Sequence, residues 1–303
     1  NAHPQITVTG PAGETALNPL PDTSYAWSAV VTDAMPSGAY ACTVVLEDQL
    51  GNITPAALPC GDFIVDTQSP TISELTISST NTGGNVLAKV GDTITVAFGL
   101  SEEAADPYPS VRMGSYTFES CVANGLEYTC TYEVGETESD GIHPFRIETR
   151  DAAGNAAVRE EPTETVTIDT TSPTVVYEQV APEVAPAGST VQVLLTFGEP
   201  LSALPAVTAT PELPAALNCS WSGDAQTNVV CAMELPNTNL NSSHSLSVSA
   251  LDQAGNVSAQ EISGSIVLDA TLPVISNVSL TTPNLAGYVN AADQTGNTQV
   301  EVG

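Results

Sequence analysis

Apolar and polar residues alternate over short runs along this chain. Ile94, Val96 and Phe98 are interleaved with Thr93, Thr95 and Ala97, and Val191, Val193, Leu195 and Phe197 hold the matching place further along. Successive side chains of a strand point to opposite faces, so each run predicts a strand with one apolar face. A second set sits two, four and six residues upstream of a recurring Asp: Leu46, Val44 and Cys42, then Thr149, Ile147 and Phe145, then Ala250, Val248 and Leu246. Short apolar segments at Phe63–Val65, Val166–Ile168 and Ile266–Leu268 predict a closing strand each. Gly and Pro occur 22 times each, so breakers recur throughout, as many short strands joined by tight turns require. Leu-rich helical stretches are missing, and no apolar run approaches the roughly 18 residues of a membrane-spanning helix.

The strands are organised by internal repeats. Asp66-Thr67-Gln68-Ser69-Pro70 recurs as Asp169-Thr170-Thr171-Ser172-Pro173 and as Asp269-Ala270-Thr271-Leu272-Pro273, at spacings of 103 and 100 residues. A second motif keeps step with it: Asp48-Gln49-Leu50-Gly51-Asn52, Asp151-Ala152-Ala153-Gly154-Asn155 and Asp252-Gln253-Ala254-Gly255-Asn256. The glycine of that motif can take positive φ, and its Asp and Asn side chains can bond nearby backbone, so it reads as the turn between the last two strands of a repeat. The Pro of the first motif holds the residue before it extended, which reads as a short, stiff linker.

About 100 residues and roughly seven short strands per repeat predict an all-β chain of tandem immunoglobulin-like β-sandwiches strung end to end. The expected divisions are residues 1–65, the C-terminal part of a repeat; 66–168 and 169–268, two complete repeats; and 269–303, the N-terminal part of a further one. The two partial segments total one repeat length. The chain is thus expected either to belong to a longer array or to be a subunit whose tail completes the next subunit's head.

Charge narrows the function. The chain carries 35 Asp plus Glu against 5 Lys plus Arg, a formal net charge of −30. All five basic residues, Lys89, Arg112, Arg146, Arg150 and Arg159, fall between Asp66 and Ile168. Such a surface repels nucleic acid and anionic membranes and attracts cations, so no nucleic-acid partner and no membrane insertion by this segment is expected. Counting strands brings each linker Asp to the turn and acidic loop of the repeat that follows it. Asp66 is then expected to face Asp151, Asn155, Glu102 and Glu103, and Asp169 to face Asp252, Asn256 and Glu199. Hard oxygen ligands from several loops suit Ca²⁺. The competing reading is a plain turn capped by its own side chains.

Six cysteines allow 15 pairings, and each repeat holds one pair. The expected disulfides are Cys42–Cys60, Cys121–Cys130 and Cys219–Cys231, which imply an oxidising compartment. A zinc site competes poorly, because there is no Cys-x-x-Cys and His3, His143 and His244 are scattered. Nucleophile elbows, phosphate-binding glycine loops and metalloprotease motifs are missing from the sequence, so an enzyme is not expected.

Asp-Thr-x-x-Pro, a Gly before a strand ending in Phe, an acidic loop and Asp-x-Ala-Gly-Asn together resemble the bacterial Ig-like tandem repeats of large cell-surface adhesins and extracellular fibres. The resemblance implies an extracellular or cell-surface location, a spacer or adhesive role, and calcium at domain junctions. Expected partners are neighbouring repeats or subunits of the same kind, with a surface or glycan ligand as the alternative class. Trp27 and Trp221 are single residues and read as core rather than as sugar platforms.

Overall fold

The computed structural model describes residues 4–16, 18–19, 27–28, 30–107, 109–237, 241–276, 279–280 and 300–301. His3, Asn277 and most of the segment after it lie outside the described residues. Among the described residues, every regular element is a strand. The first region holds β1 (Gln5–Gly10), β2 (Gly13–Ala16), β3 (Asn18–Pro19), β4 (Trp27–Ser28), β5 (Gly38–Val45) and β6 (Leu58–Val65). The next holds β7 (Ile72–Ser79), β8 (Leu87–Ala88), β9 (Thr93–Leu100), β10 (Ser110–Met113), β11 (Tyr116–Thr117), β12 (Ser120–Asn124), β13 (Glu127–Glu133), β14 (Gly141–Arg150) and β15 (Ala156–Ile168). Then come β16 (Val175–Ala181), β17 (Val184–Ala185), β18 (Thr190–Phe197), β19 (Ala206–Thr210), β20 (Asn218–Trp221), β21 (Asn228–Glu234), β22 (Ser242–Leu251) and β23 (Val257–Leu268). β24 (Ser279–Leu280) and β25 (Val300–Glu301) form a two-stranded pair near the end.

The chain divides into two compact units, Asn1–Thr171 with Gln253–Asn256, and Ser172–Asp252 with Val257–Gly303. In the first unit, sheets ordered β12-β13-β9-β7 and β11-β10-β14-β15-β8 share one core. The second unit repeats the plan as β20-β21-β18-β16 and β19-β22-β23-β17. In both, the chain leaves the first sheet after its opening strand and adds a two-residue parallel strand to the other sheet. Leu87 pairs with Thr167 there, and Val184 with Val267. Two facing, mostly antiparallel sheets with this connectivity make each an immunoglobulin-like β-sandwich.

The alternation read from the sequence is the packing pattern. Ile94, Val96, Phe98 and Leu100 of β9 are buried, as are Val191, Val193, Leu195 and Phe197 of β18. Phe98 stacks on Tyr128 across the sheet, with ring centroids 5.7 Å apart, and Phe118 meets Phe145 edge-on at 6.2 Å. The closing strands are longer than the apolar segments suggest. β15 runs 13 residues and β23 runs 12, because each pairs with the whole length of its predecessor. That pairing slips at a bulge, between Pro144 and Phe145 in one case and between Ser245 and Leu246 in the other. Pro144 has no N–H to give to a ladder, and a bulge accommodates it.

The sheet β2-β1-β5-β6 is different. Its buried apolar residues are Val8, Tyr40 and Val65, with Met35 packed on them, while Leu58, Phe63 and Ile64 are exposed. Among the described residues of this region, the remaining strands are the two-residue β3 and β4, which pair with each other.

The cysteines pair within their repeats. Cys121 and Cys130 are direct cross-strand partners on β12 and β13, as are Cys219 and Cys231 on β20 and β21. Cys42 joins Cys60 across the β5–β6 bulge. Each closes a loop of 18 residues or fewer, which in the chain-entropy model stabilises by about 3 kcal/mol. The three disulfides fit an oxidising environment.

The burial pattern gives a direct test. Phe98→Ala empties a fully buried site and is expected to cost about 3–5 kcal/mol, whereas Val122→Ala, at a position 70% exposed, is expected to stay within about 0.5 kcal/mol. Urea unfolding of the full chain, followed by Tyr and Trp fluorescence, measures both. Equal effects would mean that the β9 register is wrong.

Candidate cation site at the linker

The site starts from strand periodicity. Phe145, Ile147 and Thr149 point inward from β14, and the next inward position is Asp151, which is 2% exposed. A charge at the buried end of a strand needs partners, and the turn supplies them. Asn155 donates its backbone N–H to Asp151 Oδ1 at 2.9 Å and its Nδ2 to Asp151 Oδ2 at 2.8 Å. Gly154, at φ +95°, lets the chain reverse so that its N–H reaches the Asp151 carbonyl at 3.2 Å. Asn155 Nδ2 also donates to the carbonyl of Asp66, at 3.1 Å.

Asp66 heads the linker. Its Oδ1 accepts from the Gln68 N–H at 3.1 Å, a local turn of the kind Asp favours. Glu102 arrives from the end of β9. The loop carrying it is tied to the linker by Ser101 N–H to the Thr71 carbonyl, at 3.1 Å, and by Thr71 N–H to Ser101 Oγ, at 2.9 Å. One carboxylate oxygen from each of Asp66, Glu102 and Asp151 then lies within 4.8 Å of the others. Partial burial and the negative charges of Asp151 and Asp66 push the Glu102 carboxyl above its usual range. Burial also acts to raise Asp151, but the bonds from Asn155 and the turn N–H groups outweigh it and hold that carboxyl low. Glu103 is exposed and stands outside this group, because the loop after β9 turns Glu102 inward and its neighbour outward.

The second set recurs in part within each unit. In the first unit, Asn256 Nδ2 donates to the Asp169 carbonyl at 2.8 Å, as Asn155 does to Asp66. In the second, Gly198 N–H bonds the Thr174 carbonyl at 2.9 Å, so Glu199 follows it as Glu102 follows Ser101. Asp252 is 1% exposed and bridges to Leu201 beside that loop.

A further linker contact has no signature in the sequence. Ser37 Oγ accepts from Thr67 N–H, Asp140 Oδ1 from Thr170 N–H, and Asn241 Oδ1 from Ala270 N–H, at 3.2, 2.7 and 2.8 Å. Asp140 also receives both threonine hydroxyls of Thr170 and Thr171. Three different residue types do one job at one repeat position, just before β5, β14 and β22. Only their spacing from the linker, 29 or 30 residues, could have exposed them.

Among the described residues, neither His143 nor His244 stands in a nucleophile arrangement. His244 is buried, with Nε2 2.7 Å from Ser242 Oγ, but its Nδ1 faces the Pro211 carbonyl at 2.7 Å where a catalytic pair would have a carboxylate. His143 bonds the Ser139 carbonyl and packs edge-on against Tyr116. Among the described residues, no helix is long and apolar enough to cross a membrane.

No protein-family model matches this chain, and no curated protein matches it. Solved structures of similar architecture include the titin I-band fragment I67–I69, at 12% identity over 90% of this chain and 89% of that one, with a TM-score of 0.40. The fibronectin(III)-like modules of CbhA from Clostridium thermocellum are 12% identical over 64% of this chain and 94% of theirs, at a TM-score of 0.30. The tandem Ig repeats of Dlar are 14% identical over 67% and 98%, at 0.23. These similarities concern tandem β-sandwich architecture; the fold assignment itself stands on the sheet topology above.

The Asp140 contact predicts acid sensitivity. Burial raises this carboxyl, and the Thr170 and Thr171 donors more than reverse that, so it is held below its usual value. A carboxylate depressed in the folded state contributes stability that is present above its unfolded pKa of about 3.9 and lost as pH falls through the lower folded value. Asp140 is solvent-exposed, so the expected contribution is only about 1 kcal/mol. Asp140→Ala should speed amide exchange at Thr170, whose N–H Asp140 accepts, at pH 7 and flatten the stability loss below about pH 4. Unchanged exchange at that amide would exclude the contact.

Proposed function

We propose that this chain is part of an extracellular structural or adhesive array on or around a bacterial cell, a stalk or fibre of Ig-like repeats whose linkers are set by calcium. The observation that carries this reading is the convergence of Asp66, Glu102 and Asp151 at a linker, with carboxylate oxygens within 4.8 Å of one another. Ligands on one Ca²⁺ stand about 2.3–2.6 Å from it, so two of them are separated by at most about 5 Å. The donors are all hard oxygens, and partial burial together with the charges of Asp151 and Asp66 holds Glu102 above its usual pKa; a divalent cation reverses the repulsion among the three carboxylates. Asp169, Glu199, Asp252 and Asn256 occupy the same repeat positions and are assigned the same role. The boundaries 66–168 and 169–268 are proposed as the repeat units of the array. Its partners are other repeats of the same kind.

Thermal unfolding in chelator and in calcium tests this. Calcium at 100 times its dissociation constant is expected to add about 2.7 kcal/mol per site. Glu102→Gln separates the cation from other causes. With chelator, the variant should be more stable than the parent above about pH 5, because a carboxyl raised by folding favours the folded state only while protonated, below its unfolded pKa of about 4.3. With calcium, the order should invert. Identical melting with and without calcium, together with no crossover, would refute calcium at the linker.

A further inference from the structure

Each complete sandwich has an open side where the last strand of one sheet stands beside the last strand of the other. In the first unit these are β12 and the β10–β11 hairpin. A cavity of about 970 Å³ lies along that seam. Its walls include Phe118 and Tyr128, both buried, and Cys121 and Ala123 of β12. Alternation turns residues 121 and 123 to the cavity and leaves Val122 70% exposed on the outer face. The second unit has a cavity of about 670 Å³ beside β19 and the loop leading to β20, with no wall residue from β20 itself.

The two cavities differ in charge. Three carboxylates line the first, those of Asp106, Glu119 and Glu148, against Glu212 alone in the second. Arg146 neutralises Glu148, donating Nε to its Oε1 at 2.7 Å. Among the described residues, Asp106 and Glu119 form no salt bridge. Beside them runs β12, paired on one side only, with β13. An edge strand presents unpaired N–H and C=O groups to any chain that lies along it. Most proteins blunt such an edge with Lys, Pro or a bulge. Here the pairing of β12 with β13 is regular over all five residues, and the Cys121–Cys130 disulfide fastens the edge to the sheet. The edge is thus pre-organised, which lowers the ordering cost of adding a strand.

We propose that β12 and the cavity beside it accept an extended peptide bearing Lys or Arg at alternate positions, added as a further strand. Main-chain bonds to β12 hold the peptide. Its basic side chains, on the cavity side, lay their aliphatic stems against Phe118 and Tyr128 and place their charges at Asp106 and Glu119. The partner is a basic, strand-forming segment of another protein, and the second unit, with one carboxylate at its seam, does not bind it.

The test uses the full chain and the peptide acetyl-Lys-Val-Lys-Val-Lys-Val-Lys-amide at about 0.15 M salt, where charges beyond about 8 Å are screened. Binding is expected to slow amide exchange across residues 120–124 and nowhere in β20. Asp106→Asn with Glu119→Gln should weaken affinity at least about tenfold, equivalent to about 1.4 kcal/mol. A control removing the same charge elsewhere, Glu212→Gln with Glu261→Gln, should change it less than about twofold, or about 0.4 kcal/mol. The same peptide N-methylated at all seven residues keeps its charge but has no residue N–H to give on either edge, and should bind as weakly as the seam variant allows. Equal weakening by both double variants, or equal binding of the methylated peptide, would reduce the effect to diffuse attraction by an acidic chain and overturn the proposal. These readouts are independent of calcium at the linkers.

Discussion

A carboxylate placed at the buried end of an inward-facing row of side chains must find partners, and much of the ordered structure around the linker follows from that demand on Asp151. Its position is set by period two from Phe145, Ile147 and Thr149. Leaving such a charge unpaired costs several kcal/mol. The turn Asp-x-x-Gly-Asn is the local answer. The glycine reverses the chain, and the asparagine returns a backbone N–H and a side-chain amide to the two carboxylate oxygens. One side-chain amide has two hydrogens, and the second goes to the carbonyl of Asp66. The same residue that satisfies the buried charge thereby fixes the linker peptide to the turn.

The linker is held from its other side by an unrelated device. Ser37, Asp140 and Asn241 each accept from the linker backbone just after the motif Asp. The motif Asp itself closes a local turn, with Asp66 accepting from Gln68 N–H and Asp269 from Thr271 N–H. Proline then removes one more degree of freedom. A linker with so many of its backbone groups committed is a fixed peptide, unlike a Gly/Ser tether. That is the property the proposed array needs, and short polar contacts to the linker backbone supply it.

The sequence is informative where the chain obeys a period and silent where it does not. β9, β14, β18 and β22 were legible because burial on one face forces alternation. The turn and the linker were legible because glycine, proline and Asx residues carry local conformational meaning. The full length of β15 and β23 was not, since their outer halves pair by backbone and need no apolar signal. The loop after β9 has no period, so adjacent Glu102 and Glu103 looked equivalent, and only the folded loop turns one of them to the linker. Ser37, Asp140 and Asn241 were hidden for a related reason. Any short side chain with an oxygen can accept one N–H, so repeat positions of this kind conserve an atom and not a residue.

The edges of the sandwiches bring the charge of the chain and its disulfides into one argument. Cys121–Cys130 and Cys219–Cys231 do not cross between facing sheets. Each ties an edge strand to the strand beside it. A staple there adds little to the core, which is already filled by Phe98, Phe145 and their neighbours, but it keeps the strand most free to peel away in register. An array of sandwiches exposes many such edges side by side, and edge-to-edge pairing is their common failure. A net charge of −30 opposes that pairing between copies. Like copies therefore repel along edges that remain structurally intact, and the strand able to use such an edge is one of opposite charge.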